Sequence, residues 1–204
     1  TFELPSHRTG VSMPASSRSY RPLSRLIIGP LMASSLVFAT PAIATQDLFL
    51  RLSGIEGSST DERHRREIEL ESYSQSVQSG ANFGYGSGAA GKAASCGDIV
   101  VSKQIDAASP GLIMSVLTGA RIANGTITFR RAGREQQEYY TVQMTEVIVT
   151  SVEQSDVAAT SAPVKEIIKM KARQFRFNYF PQKPDGSLGP VQTFGFDCVS
   201  NSRL

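Results

Sequence analysis

The 204-residue chain has no tryptophan, two cysteines and two histidines. Two cysteines are too few for a multi-cysteine zinc module or for a disulfide-dense mini-scaffold. Charge is sparse as well. Only 19% of residues are charged against 40% hydrophobic, which is enough apolar material for a sizeable core and excludes wholesale disorder. The formal net charge is +3, but the excess is local. Residues 1–44 hold Arg8, Arg18, Arg21 and Arg25 against one acid, Glu3, and the remaining basic and acidic residues balance. A balanced remainder gives no net-charge support to a nucleic-acid role.

The basic segment has the order of a secretory leader. Polar and basic residues run from Met13 to Arg25. An apolar stretch follows over residues 26–39. Pro41, Ala42, Ile43 and Ala44 then place small residues at the −3 and −1 positions of a cleavage site. Gly29 and Pro30 interrupt the apolar stretch, which is too short to span a bilayer comfortably. Ala44 would be the last residue removed and Thr45 the first mature one. The alternative is an over-extended reading frame. If the leader is real, Cys96 and Cys198 mature in an oxidising compartment and can pair, adding about 4 kcal/mol in the chain-entropy model. The other reading is two buried thiols that never meet.

The remainder reads as strands around one helix. Leu48, Leu50 and Leu52 alternate over residues 47–53, the period of a half-buried strand, and Gly54 ends it. Ile68 and Leu70 point inward over residues 67–71, with Glu67, Glu69 and Glu71 outward. Tyr73 and Val77 then fall on the other parity, which predicts a bulge near Ser72. Residues 79–95 are glycine- and alanine-rich, with Phe83 and Tyr85 as their only large apolar groups, and read as a long flexible loop before a strand at 98–105. Ser109 is an N-cap candidate, Pro110 suits the first helical position, and Gly119 suits the stop. Leu112, Ile113, Val116 and Leu117 form that helix's apolar stripe. Residues 126–130 and 139–152 read as a hairpin, with a phase change near Glu146. Residues 164–180 form another long strand whose apolar face switches parity between Ala172 and Phe175. A Pro-Asp-Gly turn precedes a last strand over 191–199, with Phe194, Phe196 and Cys198 in phase. About seven strands and one short helix, mainly antiparallel, predict an all-β protein built as a small barrel or sandwich.

Chemistry-bearing motifs are few. Gly86, Gly88 and Gly91 fit G-x-G-x-x-G, and Gly86 through Lys92 fits G-x-x-x-x-G-K. Ala93 stands where a phosphate loop needs Ser or Thr, and no helix follows, so a glycine-rich loop is the preferred reading. His7 belongs to the leader. His64 sits among Asp61, Glu62 and three arginines, and reads as a solvated loop histidine rather than a general base. Asn124 to Thr126 match a short, common glycosylation pattern. Arg130, Arg131 and Arg134 cluster at a hairpin tip, as a solvated turn or subunit contact. No catalytic residue, metal ligand or cofactor-binding residue is assigned.

Taken in order, several stretches resemble the Hcp (haemolysin-coregulated protein) family, the tube protein of type VI secretion systems. Leu52-Ser53-Gly54-Ile55 leads through Ser59-Thr60-Asp61 to Glu67-Ile68-Glu69. Gly91-Lys92 precede a strand. Ser109-Pro110 open the helix and Thr118-Gly119 close it. Thr126-Ile127-Thr128-Phe129-Arg130-Arg131-Ala132-Gly133 run into Gln137-Glu138-Tyr139. Residues 147–151 and 179–187 also match, so the resemblance covers roughly residues 47–199. After the leader read over 1–44, it implies one Hcp-like domain over 45–204, a small β-barrel with a flanking helix. It further implies a homohexameric ring, rings stacked into a secreted tube, no enzymatic activity and no cofactor. Its implied partners are copies of itself and the sheath, spike and effector proteins of the system, with no nucleic acid and no stable membrane insertion. By position, the family's ring-stacking loop falls on Asn82, Phe83, Gly86, Gly88, Gly91 and Lys92. The leader departs from the family, whose ordinary members assemble in the cytoplasm. It raises a second possibility, an exported stand-alone effector or binding module that builds no tube. The expected location is extracellular, by way of the periplasm, or cytoplasmic assembly if the leader is an artefact.

Overall fold

The computed structural model describes residues 46–80, 92–132, 135–155 and 164–204. All of these belong to the compact unit Ala42–Leu204. The expected leader and most of the glycine-rich segment lie outside the described residues, as do Phe83, Tyr85 and Arg134.

Among the described residues, nine strands and one helix follow in chain order: β1 (Gln46–Leu52), β2 (Ile68–Leu70), β3 (Ser72–Gly80), β4 (Lys92–Gln104), α1 (Ser109–Thr118), β5 (Arg121–Arg131), β6 (Glu138–Ser155), β7 (Lys165–Tyr179), β8 (Gln192–Asp197) and β9 (Ser202–Arg203). The described pairings are antiparallel. The ladder runs β2-β1-β5-β6-β7-β4-β3, with β8 on β7 and β9 on β8. It does not close through hydrogen bonds, so the expected barrel is an open ladder. Its two end strands are nonetheless consecutive in the chain, separated by Glu71 alone. The break predicted near Ser72 falls there. At this point the strand exchanges its neighbour β1 for β4.

Alternation builds the core. Leu48, Leu50 and Leu52 of β1, Ile68 of β2, Ile99 and Val101 of β4, Ile127 and Phe129 of β5, and Ile168 and Met170 of β7 are buried together. Each such side chain contributes about 1.5–3 kcal/mol by leaving water. On β6 the buried parity moves from Val142 and Met144 to Val147 and Val149. Glu146 sits between them in the left-handed region, at φ 51°. On β7 it moves from Met170 and Ala172 to Phe175. The pairs Thr145↔Gln174 and Val147↔Ala172 bracket both switches. Neighbouring strands therefore turn over along one line of the sheet, and Arg173 spans it with an ion pair to Glu146 at 3.1 Å.

Four expectations need correction. First, β3 runs to Gly80 and β4 begins at Lys92 rather than near 98, so residues 79–80 and 92–95 of the expected loop are strand; residues 81–91 lie outside the described residues. Second, the N-cap position of α1 is Ala108, which makes no side-chain cap. Ser109 instead turns its hydroxyl inward, as described below. Third, Leu112 and Ser115 are buried while Leu117 is 74% exposed. Val116 of the expected stripe packs partly buried against the core, and Gly119, left-handed at φ 64°, caps the helix after Thr118. Fourth, Phe194 is 47% exposed and Asp197 is buried. Strand β8 continues from β7 with Phe177↔Phe194 and Phe175↔Phe196, so its aromatic parity faces a side cleft rather than the main core.

Candidate functional site

Three clusters of polar or redox-active side chains stand out, each placed by a different part of the ladder. The first forms where the connection after β1 folds back onto β1 and β5. Gly57 N–H donates to the Arg66 carbonyl and Ser59 N–H to that of Glu67. A side chain at Gly57 would meet the Glu67 carbonyl oxygen at 2.3 Å, so the close approach requires glycine. Asp61 Oδ1 accepts from the N–H groups of Arg63 and His64, at 3.0 and 3.2 Å. Its Oδ2 pairs with Arg130 Nη2 at 2.8 Å. The hydrogen bond from Arg130 lowers the Asp61 carboxyl to about 2.

Arg130 is buried, against the expectation of a solvated turn. It also donates to Asp47 through Nε and Nη2 and lies 4.8 Å over the Phe49 ring. Arg131 stacks instead on Tyr139, at 5.1 Å. His64 is buried too, not solvated, with only 4% of its surface exposed. Its ring stacks on Phe49 at 4.0 Å, Nδ1 meets Glu67 Oε2 at 3.0 Å, and Nε2 lies 3.5 Å from Glu138 Oε1. The Ser-Thr-Asp…His…Glu spacing thus locks a connection onto the sheet. It brings His64 beside the carboxylates of Glu67 and Glu138 and the Phe49 ring.

The second cluster ties α1 to the sheet. Lys103 of β4 and Glu166 of β7 have fully buried side chains, with Nζ and Oε2 2.6 Å apart. Lys103 Nζ also reaches Asp106 Oδ1 at 2.7 Å, the Gln104 carbonyl and Ser109 Oγ. Ser109 donates to Glu166 at 2.7 Å and accepts from the Asp106 N–H, which uses the hydroxyl's one donor and two acceptor sites. Gln154 donates to Glu166 Oε1. Burial pushes the Glu166 carboxyl up, but the hydrogen bonds from Lys103, Gln154 and Ser109 outweigh it and hold it below its ordinary value. Sequence reasoning passed over this pair although a signal existed. Lys103 shares the inward parity of Ile99 and Val101, and Glu166 that of Ile168 and Met170.

The third cluster is the two cysteines. Cys96 of β4 and Cys198, just beyond β8, are bonded in the structure, with Cα atoms 6.0 Å apart across 102 residues of sequence. Both are partly buried. A cleft of about 430 Å³ opens on both, and a second of about 250 Å³, wholly apolar, opens on Cys96.

Of the residues expected in the ring-stacking loop, Asn82, Phe83, Gly86, Gly88 and Gly91 lie outside the described residues. Lys92 opens β4 opposite Gly80. A cleft of about 940 Å³ lies elsewhere, between the end of β1 and the connection that follows, and is lined in part by Arg51, Arg65 and Asn124. Arg66, which also lines it, pairs with Glu56. Among the described residues, no group of three His, Cys, Asp or Glu is placed to hold a metal ion, and no helix is long and apolar enough to cross a membrane.

Comparison with known proteins bears on the whole arrangement. Residues 49–182 match the family model described as type VI secretion system effector, Hcp. The protein hcp1 of Pseudomonas aeruginosa is 32% identical over 158 residues, covering 76% of this chain and 96% of that protein. The solved structure of a type six secretion system protein shares the fold, with a TM-score of 0.73 at 21% identity over 78% of this chain and 100% of that one. The crystal structure of Hcp1 from Salmonella typhimurium gives a TM-score of 0.66 at 26% identity, over 79% of this chain and 100% of that one.

Proposed function

The chain belongs to the Hcp family of type VI secretion proteins, and on that premise we propose that it is a structural subunit of the secretion system, forming homohexameric rings that stack into the secreted inner tube. The observation that carries this reading is the extent of the match. It spans 96% of the relative from Pseudomonas aeruginosa and 76% of this chain. The buried charges support it too. Lys103, Glu166, Arg130 and His64 are engaged by neighbouring side chains inside the fold rather than turned toward a substrate. The role involves no catalysis and no cofactor.

The first partners are other copies of the chain, followed by the sheath, spike and effector proteins of the apparatus. Neither nucleic acid nor stable membrane insertion has a part. Surfaces suited to association are at hand. Met114, Leu117, Val191, Phe194 and Val199 are large apolar residues left exposed. Strand β8 meets β9 only at Phe196 and Asp197, so the outer edge of its first half is available for pairing. Native mass spectrometry with negative-stain electron microscopy is expected to show rings of about six subunits, the symmetry that closes a heterologous contact. A strictly monomeric protein at high concentration would reject the ring.

One observation favours a second reading. The bonded Cys96 and Cys198 suit an oxidising compartment. That fits an exported protein whose leader, residues 1–44, is removed after Ala44 and which acts alone as an effector or binding module. N-terminal sequencing of protein recovered from cells separates the two. Thr45 as first residue, with a monomer or dimer, supports the stand-alone module. A ring whose protomers never passed a signal peptidase supports the tube.

A further inference from the structure

The β3–β4 hairpin is longer than the sheet that holds it. Strand β4 pairs with β7 only from Ile99 to Gln104. Its first half, from Lys92, pairs with β3 alone, as far as Gly80↔Lys92. The outer part of the hairpin is therefore a two-stranded ribbon reaching past the body of the sheet, and such ribbons are marginal by themselves. A bulge marks the point of departure. Gln75 pairs with Ile99 and Val77 with Cys96, so Gly97 and Asp98 stand opposite Ser76. A side chain at Gly97 would lie 2.7 Å from the Ser76 carbonyl oxygen, so glycine permits the close crossing. Bulges bend and twist a strand, and this one separates the part of β4 paired with both β3 and β7 from the part paired with β3 alone.

The C-terminal segment ties the outer ribbon back. Cys96, immediately beyond the bulge, is bonded to Cys198. Three residues later Asn201 Oδ1 accepts from the Ala94 N–H at 3.0 Å. Val77 and Ala94 share the apolar cleft with Phe175, Phe177, Phe194 and Phe196. Of these ties the covalent one can be made and unmade by redox chemistry, and the cleft of about 430 Å³ leaves both cysteines open to a small thiol.

We propose that Cys96–Cys198 is a redox-controlled anchor: with the cysteines as thiols the outer β3–β4 ribbon hinges at the Ser76/Gly97 bulge, and with the disulfide closed it is fixed against the C-terminal segment. Closure is a thiol–disulfide exchange with a low-molecular-weight disulfide. One cysteine thiolate attacks the small disulfide and releases one thiol. The second cysteine attacks the resulting mixed disulfide and releases the other. Two protein thiols are oxidised, one small disulfide is reduced to two thiols, and the cysteine protons pass to the released thiolates. Excess small thiol runs the same steps backward. The inference rests on the fold alone and holds for one protomer, independently of ring formation.

Hydrogen exchange on the full chain tests it. The samples are the oxidised protein, the protein reduced with dithiothreitol, and a Cys96→Ser/Cys198→Ser variant. Amides of residues 76–80 and 92–97 are expected to exchange about tenfold faster or more in the reduced and variant proteins, while those of β5 and β6 stay unchanged. Adding glutathione disulfide is expected to restore slow exchange in the reduced wild type and not in the variant. Equal ribbon exchange in all three samples would overturn the anchor. So would faster exchange spread equally over β5 and β6, since the bond would then be a global staple. Failure of glutathione disulfide to restore protection would overturn its reversibility.

Discussion

Replacing Lys103 by methionine removes one half of an ion pair whose side chains have no measurable exposure. Breaking a buried pair from one side costs about 3–5 kcal/mol, because the remaining charge is left in a poorly polarisable interior. The structure places this case near the lower bound. After K103M the Glu166 carboxylate still accepts from Ser109 and Gln154, so a loss of about 3 kcal/mol is expected. Glu166→Gln should cost less, about 1–2 kcal/mol, since Lys103 keeps Asp106 at 2.7 Å. The double variant K103M/E166Q removes both charges and should cost about 2–3 kcal/mol, no more than K103M alone. The coupling between the two sites should then reach about 2 kcal/mol. Urea unfolding followed by circular dichroism, at one protein concentration and in the oxidised state, measures all four corners of the cycle. At roughly 2–4 °C per kcal/mol for a domain of this size, K103M should melt on the order of 10 °C lower. A K103M protein within about 1 kcal/mol of wild type, or a coupling near zero, would refute the argument that the pair acts as one buried unit.

The carboxyl groups of Asp61 and Glu166 both sit below their ordinary values, Asp61 at about 2 against 3.8. Depressed carboxylates stabilise the fold above their unfolded values, and that contribution disappears as pH falls through the folded ones. The melting temperature should therefore hold near pH 6 and fall steadily from about pH 4.5 toward pH 2. Asp61→Asn should flatten the lower part of that fall, and a wild-type melting temperature unchanged between pH 5 and 3 would contradict it. Gly57→Ala places a carbon 2.3 Å from a backbone oxygen that cannot rotate away. It should cost about 1–3 kcal/mol in thermal unfolding, and a neutral effect would show that the connection after β1 is looser than described.

Much of this architecture was legible because period-2 alternation records which face of a strand is buried. The parity switches at Glu146 and between Ala172 and Phe175 were readable for that reason, as were the stops at Gly54 and Gly119. What escaped depended on partners remote in sequence. His64 looks solvated among charged neighbours, and its burial becomes visible only once Phe49 and Glu138 are brought over it. Ser109 has the chemistry of an N-cap, yet Glu166, 57 residues away, competes for its hydroxyl. Phe194 keeps strand phase, but alternation cannot say whether its face meets the core or a side cleft. Lys103 and Glu166 were legible in principle, since two opposite charges on inward parities imply each other.

The strand that changes neighbours at Glu71 gives the wall a mechanical character. Force drawing β1 away from β4 would pass along the backbone of residues 68–72, where covalent bonds do not yield. Failure would begin in the ladder, at the three-residue register of Leu48, Phe49 and Leu50 with Leu70, Glu69 and Ile68, far shorter than the long pairing of β6 with β7. That register is the shortest in the run from β2 to β3, and it lies beside a covalent link. A load on the chain should unzip there first, leaving the six-strand run from β1 to β3 intact.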